Sequence, residues 1–573
     1  MKDDEEDPVR RRGISWNGPA RVLTSLLPSR GDYARARLSW RHDLIGGITV
    51  GIVALPLALG FGVTTGLGAS VGLITAIVAG VVAAVFGGSD VQISGPTGAM
   101  TVVLAPIVAR YGADGVFLAG LMAGVIVVIA SIAHMGRSLH YVPWPVIEGF
   151  TIGIAVLIFL QQVPNALGVA KPDGENAVLV AIQALSHALQ GDGTLAALGL
   201  VAVVGGVMGG LPRLNKGLPA SLVAVVAATL IAQLGDQGVA RIGSLPDSLP
   251  LPSLPDISIQ RMGDLLTAAL AIAALAAIES LLSAKVADGM SDTARHDPNR
   301  ELFGQGLANI MSPLFGGMPA TGAIARTAVN VRAGGRTRIS AVVHSIVLLG
   351  VVLVGSSLVA RIPLAALAGV LMVTAVRMIE PHNVRAVMRS TRGDAVVLVV
   401  TAAVTIAFDL ILAVAAGVAV ATVIALRSVA QSSGVAEQPI SGEAEIDVDA
   451  EHRLLHEQIV VYRIEGSLFF GAAQQFLTEL TNVGDVKVVI LRLADIRMLD
   501  ATGAAALEET IAELEGRGIT VLLKGVRPEH HQALTAVGAF GRLASERHLF
   551  DNLNDAIEHA RTHVRRHLKS DRS

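Results

Sequence analysis

The chain has no cysteine, which excludes disulfides, thiolate metal sites and cysteine nucleophiles. Aromatic residues make up 3% of its 573 residues, few for the interfacial belts of a membrane protein. Charged residues make up 16%, and the net charge is −3, too small to point to a nucleic-acid or strongly acidic partner. The first forty residues are charged and lack the apolar core of a signal peptide, so no cleaved leader is expected. The sequence has no Walker A loop, no G-x-S-x-G elbow and no H-E-x-x-H, so nothing argues for a hydrolase or an ATP-driven pump. The fifteen histidines show no evident ligand spacing. No enzyme activity, metal or cofactor is therefore expected.

What is abundant is apolar. Hydrophobic residues make up 52%, and there are 61 glycines. Runs long enough to cross about 30 Å of hydrocarbon recur at 44–62, 68–86, 115–133, 145–163, 194–211, 217–235, 264–284, 301–316, 339–360, 362–379, 394–412 and 413–426. Half-length pieces at 91–108 and 320–334 bring the expectation to fourteen segments. The amphipathic stretch 176–190 is expected to lie along the membrane surface. Arg10, Arg11, Arg12, Arg21, Arg30, Arg35, Arg37 and Arg41 precede the first span, so the N-terminus reads as cytoplasmic, and an even span count puts the C-terminus there too.

Two stretches repeat one another. Phe86-Gly87-Gly88 followed by Gly95-Pro96-Thr97-Gly98-Ala99 returns as Phe315-Gly316-Gly317 followed by Ala320-Thr321-Gly322-Ala323. Short hydrophobic segments broken by Gly and Pro at matching places in two halves point to the binding site of a secondary transporter. A helix that begins inside the membrane presents unpaired N–H groups and the positive end of its dipole, and an anion is their natural partner. Two such ends, at Thr97–Ala99 and Thr321–Ala323, would form an anion site, with Gly98 and Gly322 allowing close backbone approach.

Two ionisable residues stand out near these ends. Glu279 lies in the apolar run 268–282, where a carboxylate costs roughly 2.5–3.5 kcal/mol and is functional by default. It is the candidate proton-coupling residue, supported by Ser283 four residues on, on the same helical face. A structural acid paired with Lys285 or hydrogen-bonded to a helix terminus is the alternative. Arg326, four residues after Gly322, could hold the anion or neutralise Glu279; otherwise it is a cytoplasmic arginine like Arg332, Arg336 and Arg338.

With these residues in hand, the chain resembles the SulP family of anion transporters, the sulfate permeases and solute-carrier anion exchangers. The resemblance rests on Asp43-Leu44-Ile45-Gly46-Gly47-Ile48-Thr49-Val50-Gly51 with Leu55-Pro56, on Ile93-Ser94-Gly95-Pro96, on Glu301-Leu302-x-Gly304-Gln305-Gly306-Leu307-x-Asn309-Ile310, and on Arg326-Thr327-Ala328-Val329-Asn330-x-Arg332-Ala333-Gly334. It implies a polytopic α-helical membrane protein of fourteen segments in two inverted repeats of seven, divided into core and gate, with an elevator-type mechanism and a homodimeric assembly. Substrate would then sit among Phe61, Thr97, Gly98, Ala99, Gly322, Ala323, Ile324 and Arg326, with Thr321 in support. Within the family, the residues around Glu279 and Arg326 look most like the bacterial C4-dicarboxylate transporters, and Gln92 to Thr101 looks closer to the cyanobacterial bicarbonate branch. That branch carries Asp where Glu279 stands and Thr where Ile324 stands. Loss of the Thr hydroxyl removes an oxygen that a sodium site would want, so proton symport of a small anion is expected. Sodium- or proton-dependent bicarbonate or sulfate transport, an anion channel and an exchanger are the alternatives.

The composition changes after Arg427. The expected organisation is a cytoplasmic N-terminal region over 1–42, a transport domain over 43–427, an acidic linker over 428–455, a small soluble α/β domain over 456–567, and a polar tail over 568–573. In that domain β-rich runs alternate with amphipathic stretches near 470–482, 502–515 and 551–566. By the same resemblance it is a STAS domain, and Thr502, within Asp500-Ala501-Thr502-Gly503, stands in the loop where related anti-sigma-factor antagonists are phosphorylated.

Overall fold

The computed structural model describes residues 26–570 except 34–35, 138–141, 175, 190–192, 216–217, 236–238, 246–247, 256–257, 409, 432–433, 439–457 and 470–485. It divides into two units, Met1–Val418 and Ala419–Ser573. The first is helical: α1 (Ala36–Thr65), α2 (Ala69–Phe86), α3 (Gly98–Ile132), α4 (Trp144–Leu167), α5 (Ala177–Ala188), α6 (Thr194–Leu214), α7 (Ala220–Leu234), α8 (Ile259–Met290), α9 (Pro298–Leu314), α10 (Ile324–Arg332), α11 (Arg338–Val359), α12 (Leu364–Met378), α13 (Pro381–Ser390) and α14 (Arg392–Ala407). α15 (Leu410–Gln431) follows, spanning the division between the units. Among the described residues, nine helices are long and apolar enough to cross a membrane. Each of the fourteen expected segments falls mainly on one of the helices α1 to α15, α3 holding two of them. Gly112, at φ 68°, breaks α3 into a half-helix and a full span, a conformation that a residue with a Cβ adopts only at a cost.

Packing sorts these helices into two groups. α1, α2, α3, α8, α9, α10 and α11 pack mainly on one another, as do α4, α5, α6, α7, α12, α13 and α14. These are the core and gate that the resemblance implied. Small residues let the core helices meet closely. A Cβ on Gly72 of α2 would collide with the Ala58 carbonyl of α1 and come within 2.9 Å of the Gly62 amide. Between α2 and α3, and again between α9 and α10, the chain extends. β1 (Ser94–Gly95) and β2 (Thr321–Gly322) pair antiparallel, Ser94 opposite Gly322 and Gly95 opposite Thr321. An antiparallel meeting of the two matched segments is what inverted repeats produce.

The second unit holds β3 (Gly434–Gln438), β4 (Ile459–Leu468), β5 (Val488–Arg492), β6 (Ile496–Leu499), α16 (Ala501–Gly516), β7 (Thr520–Lys524), α17 (Pro528–Val537), β8 (Leu549–Phe550) and α18 (Leu553–Ser570). The sheet order is β3-β4-β5-β7-β8, with β6 also on β4. Only β3 is antiparallel, and it lies within the stretch read as linker, where five residues serve as the edge strand. The amphipathic stretch read near 470–482 lies outside the described residues. Period-two alternation divides the strands between two cores. Ile464, Val489, Leu491, Val521 and Leu523 face α16 and α17, whereas Ile459, Val461, Val488, Ile490 and Leu522 face Ala556, Ala560 and Val564 of α18.

Gly72→Val should lower the melting temperature of the detergent-purified protein, the overpacking costing about 1–3 kcal/mol. Gly350→Val in α11, where an added Cβ meets nothing within 4 Å, should leave it nearly unchanged.

Candidate functional site

The site is built where α3 and α10 begin. Thr97 is the N-cap of α3, its hydroxyl accepting from the Met100 amide at 3.4 Å. Ala323 caps α10 with no side-chain hydrogen bond, leaving that N-terminus without a side-chain acceptor at the capping position. Glu279 reaches the crossing from α8. Its Oε2 accepts from Thr97 Oγ1 at 2.9 Å and from Thr321 Oγ1 at 2.8 Å, and the two hydroxyls lie 3.4 Å apart. One carboxylate oxygen therefore joins both broken segments. Lys285 is exposed, and the carboxylate's hydrogen bonds go to the threonines. Ser280, next along α8, accepts from the Gly322 amide at 2.9 Å. Ser283 contacts Thr327 Oγ1 at 3.2 Å, and Thr327 in turn accepts from the Ile93 amide at 3.0 Å, so Ser283 supports the crossing one turn away from Glu279.

Phe61 of α1 and Ile158 of α4 stand over Gly98: an added Cβ would collide with Ile158 and lie 3.3 Å from the Phe61 ring. At Gly322 the added Cβ would collide with Gln92 and lie 3.1 Å from the Ser280 Cα. The room these glycines leave is thus taken by protein side chains. Ala99 and Ala323 are buried, and Ile324 is 39% exposed. Arg326 is buried. Its Nη2 donates to the Pro96 carbonyl, and its Nη1 has no hydrogen-bond partner among the described residues. Gly95 makes room for that guanidinium, since a Cβ there would lie 2.6 Å from Nη1. Arg326 therefore belongs to the crossing, unlike the exposed Arg332 and Arg336. Arg338 is also buried: it reaches Asp90 at 3.2 Å and the Gly87 carbonyl at 2.5 Å, tying the end of α2 to the start of α11.

Residues that the sequence reading had noted only as motif letters hold the crossing from behind. Along α9, Glu301, Gln305 and Asn309 recur every four residues and share one face. Glu301 accepts from the Gly88 and Ser89 amides at 2.9 and 3.1 Å. Gln305 donates to Ser94 Oγ at 2.6 Å and to Glu301 at 2.9 Å. Asn309 pairs with the Ala320 backbone, donating at 2.8 Å and accepting at 2.9 Å. A polar i, i+4, i+8 stripe on a membrane helix was the available signal. In the second copy Asn330 reaches the Val91 carbonyl at 2.8 Å, and Asp43 accepts from the Arg336 and Thr337 amides at 2.7 and 2.9 Å. Thr502 lies exposed in the first turn of α16, whose N-cap Asp500 accepts from the Gly503 amide at 2.7 Å.

Two facing half-helix N-termini, a core and a gate define a membrane transporter with a soluble α/β domain appended. A profile for the sulfate permease family matches residues 40–401, and one for the STAS domain matches 453–556. The chain is 35% identical over 525 residues to YvdB of Bacillus subtilis, a protein provisionally described as a sulfate transporter, covering 90% of this chain and 96% of that one. It is 33% identical over 555 residues to the bicarbonate transporter BicA of Picosynechococcus, covering 92% and 96%. Murine Slc26a9, an anion transporter solved in the inward-facing state, shares the fold with a TM-score of 0.80 over 97% of both chains at 18% identity. The chain belongs to the sulfate permease family: it is an anion transporter with a C-terminal STAS domain, and not an enzyme.

Asn309→Asp cannot donate to the Ala320 carbonyl and leaves a charged acceptor in a buried setting, a loss of about 1–3 kcal/mol at one of the broken segments. Uptake in proteoliposomes should fall about tenfold or more, with the protein still purifying as a folded membrane species.

Proposed function

We propose that the protein is a secondary active transporter that carries a small anion together with a proton by an elevator-type movement of core against gate. The observation that supports this reading is the shared Glu279 oxygen. An anion bound at the start of α3 and α10 would lie beside the hydroxyls that already hold Glu279. Two negative charges at that spacing in a low dielectric repel by several kcal/mol, so the anion enters with a proton on Glu279 and both leave together. Arg326 Nη1 and the uncapped start of α10 supply the attraction. Phe61, Ala99 and Ile324 form the apolar wall.

The first substrate class we propose is a C4-dicarboxylate, from the residues around Glu279 and Arg326. Bicarbonate and sulfate, for which relatives are named, suit the same donors. We also propose an inner (plasma) membrane location with both termini cytoplasmic, a homodimer, and a regulatory role for Thr502. A second reading, sodium coupling, is favoured by the three oxygens of Glu279, Thr97 and Thr321 gathered at one point.

Proteoliposomes with imposed pH or sodium gradients test these readings. Fumarate, succinate, bicarbonate and sulfate compete for uptake, and the order of competition identifies the substrate. An inward proton gradient should drive accumulation in the parent, and sodium should add nothing. Glu279→Gln should keep substrate exchange and lose proton-driven accumulation. Arg326→Ala should weaken uptake more than Arg332→Ala. Accumulation driven by sodium and not by pH would overturn the proton assignment in favour of the second reading.

A further inference from the structure

Three histidines meet at the edge of the sheet in the second unit. His559 and His563 are four residues apart on α18 and share a face. His548 ends a 3-10 turn, Glu546–His548, that leads into β8, and β8 pairs with β7 through Leu549 and Leu523. We propose that His548, His559 and His563 bind a divalent transition-metal ion of zinc's class, which fastens the C-terminal helix to the edge of the sheet.

The geometry carries this inference. One ring nitrogen from each histidine lies within 4.8 Å of the others. The Nε2 atoms of His559 and His563 are 3.2 Å apart. Two nitrogens bound tetrahedrally to zinc at about 2.0–2.1 Å stand about 3.3 Å apart, so this pair is already at ligand separation. The three ring centroids form a near-equilateral triangle with sides of 5.4, 5.2 and 4.9 Å. His548 is 2% exposed. Its ring makes a hydrogen bond to the Val521 backbone, and its Nδ1 is buried with no hydrogen-bond partner among the described residues. An imidazole fixed by a backbone partner on one nitrogen and free on the other has the arrangement of a metal ligand. Three imidazoles suit zinc, nickel or copper over calcium or magnesium, and the fourth position is left to water.

The expectation of no ligand spacing among the histidines missed this cluster. The i, i+4 pair was present in the sequence, but its partner lies eleven residues upstream on another element. His559 and His563 also lie beyond the residues matched by the STAS profile. Ala556, Ala560 and Val564 pack the adjacent face of α18 onto the sheet, and an ion held by the three rings would add a second attachment.

The test uses the full chain in detergent, with any affinity tag removed and the protein stripped with EDTA before titration with zinc chloride. Competition with a chromophoric chelator should show one tight zinc per chain, and zinc should raise the melting temperature of the STAS unit by mass action. The double variant His559→Ala/His563→Ala should bind zinc about 100-fold more weakly or worse and lose the rise. His531→Ala, an exposed position in the same domain, should keep both. If the double variant is misfolded by circular dichroism, His559→Gln, which keeps a polar side chain on the helix, is read in the same way. Absence of a saturable site in the parent, or undiminished affinity in the folded variants, overturns the proposal.

Discussion

Extended backbone inside a membrane has to find partners for its amides and carbonyls within the protein, because hydrocarbon offers none. The crossing of β1 and β2 is that problem solved in a very small space. Two residues from each repeat pair with each other, and the groups left over are met by side chains from α8 and α9: Ser280 on the Gly322 amide, Asn309 on both sides of Ala320, and Glu301 on Gly88 and Ser89. Thr75 and Ser312 on Met318, Thr327 on Ile93 and Asn330 on Val91 serve the same end. Removing any one leaves a buried donor or acceptor unmet, which costs more than an ordinary hydrogen bond contributes.

The same constraint creates the opportunity for transport. The helix starts that follow β1 and β2 point their positive ends toward one place, and the protein adds one acid and one base there. Glu279 joins the two threonine hydroxyls, and Arg326 takes the Pro96 carbonyl. Under the proton coupling proposed above, an anion that competes with Glu279 for the threonine hydroxyls links its charge to the proton on Glu279.

The division into core and gate follows from packing. The core helices are held together by polar contacts and by close glycine crossings such as Gly72 on Ala58. The gate helices meet mainly through aliphatic faces, for example Val204 of α6 against Gly369 of α12. The soluble unit has its own two cores on the two faces of one sheet.

Much of this was legible in the sequence. The spans follow from apolar length, because a membrane helix needs about twenty apolar residues whatever its neighbours are. The repeated Gly-Pro-Thr-Gly and Ala-Thr-Gly-Ala stretches marked the crossing, and a lone acid in an apolar run marked Glu279. Partners were not legible, because a hydrogen bond between residues 182 positions apart, as between Thr97 and Glu279, leaves no periodic trace. Nor was it legible that Gly322 makes room for Gln92, that Arg338 is buried while Arg332 is not, or that His548 meets His559 and His563. Hydrophobic periodicity determines which segments become helices and which faces they bury, since it is a local property of the chain. Which polar side chain meets which broken backbone depends on how the two repeats are inverted against one another, and only the tertiary structure decides that.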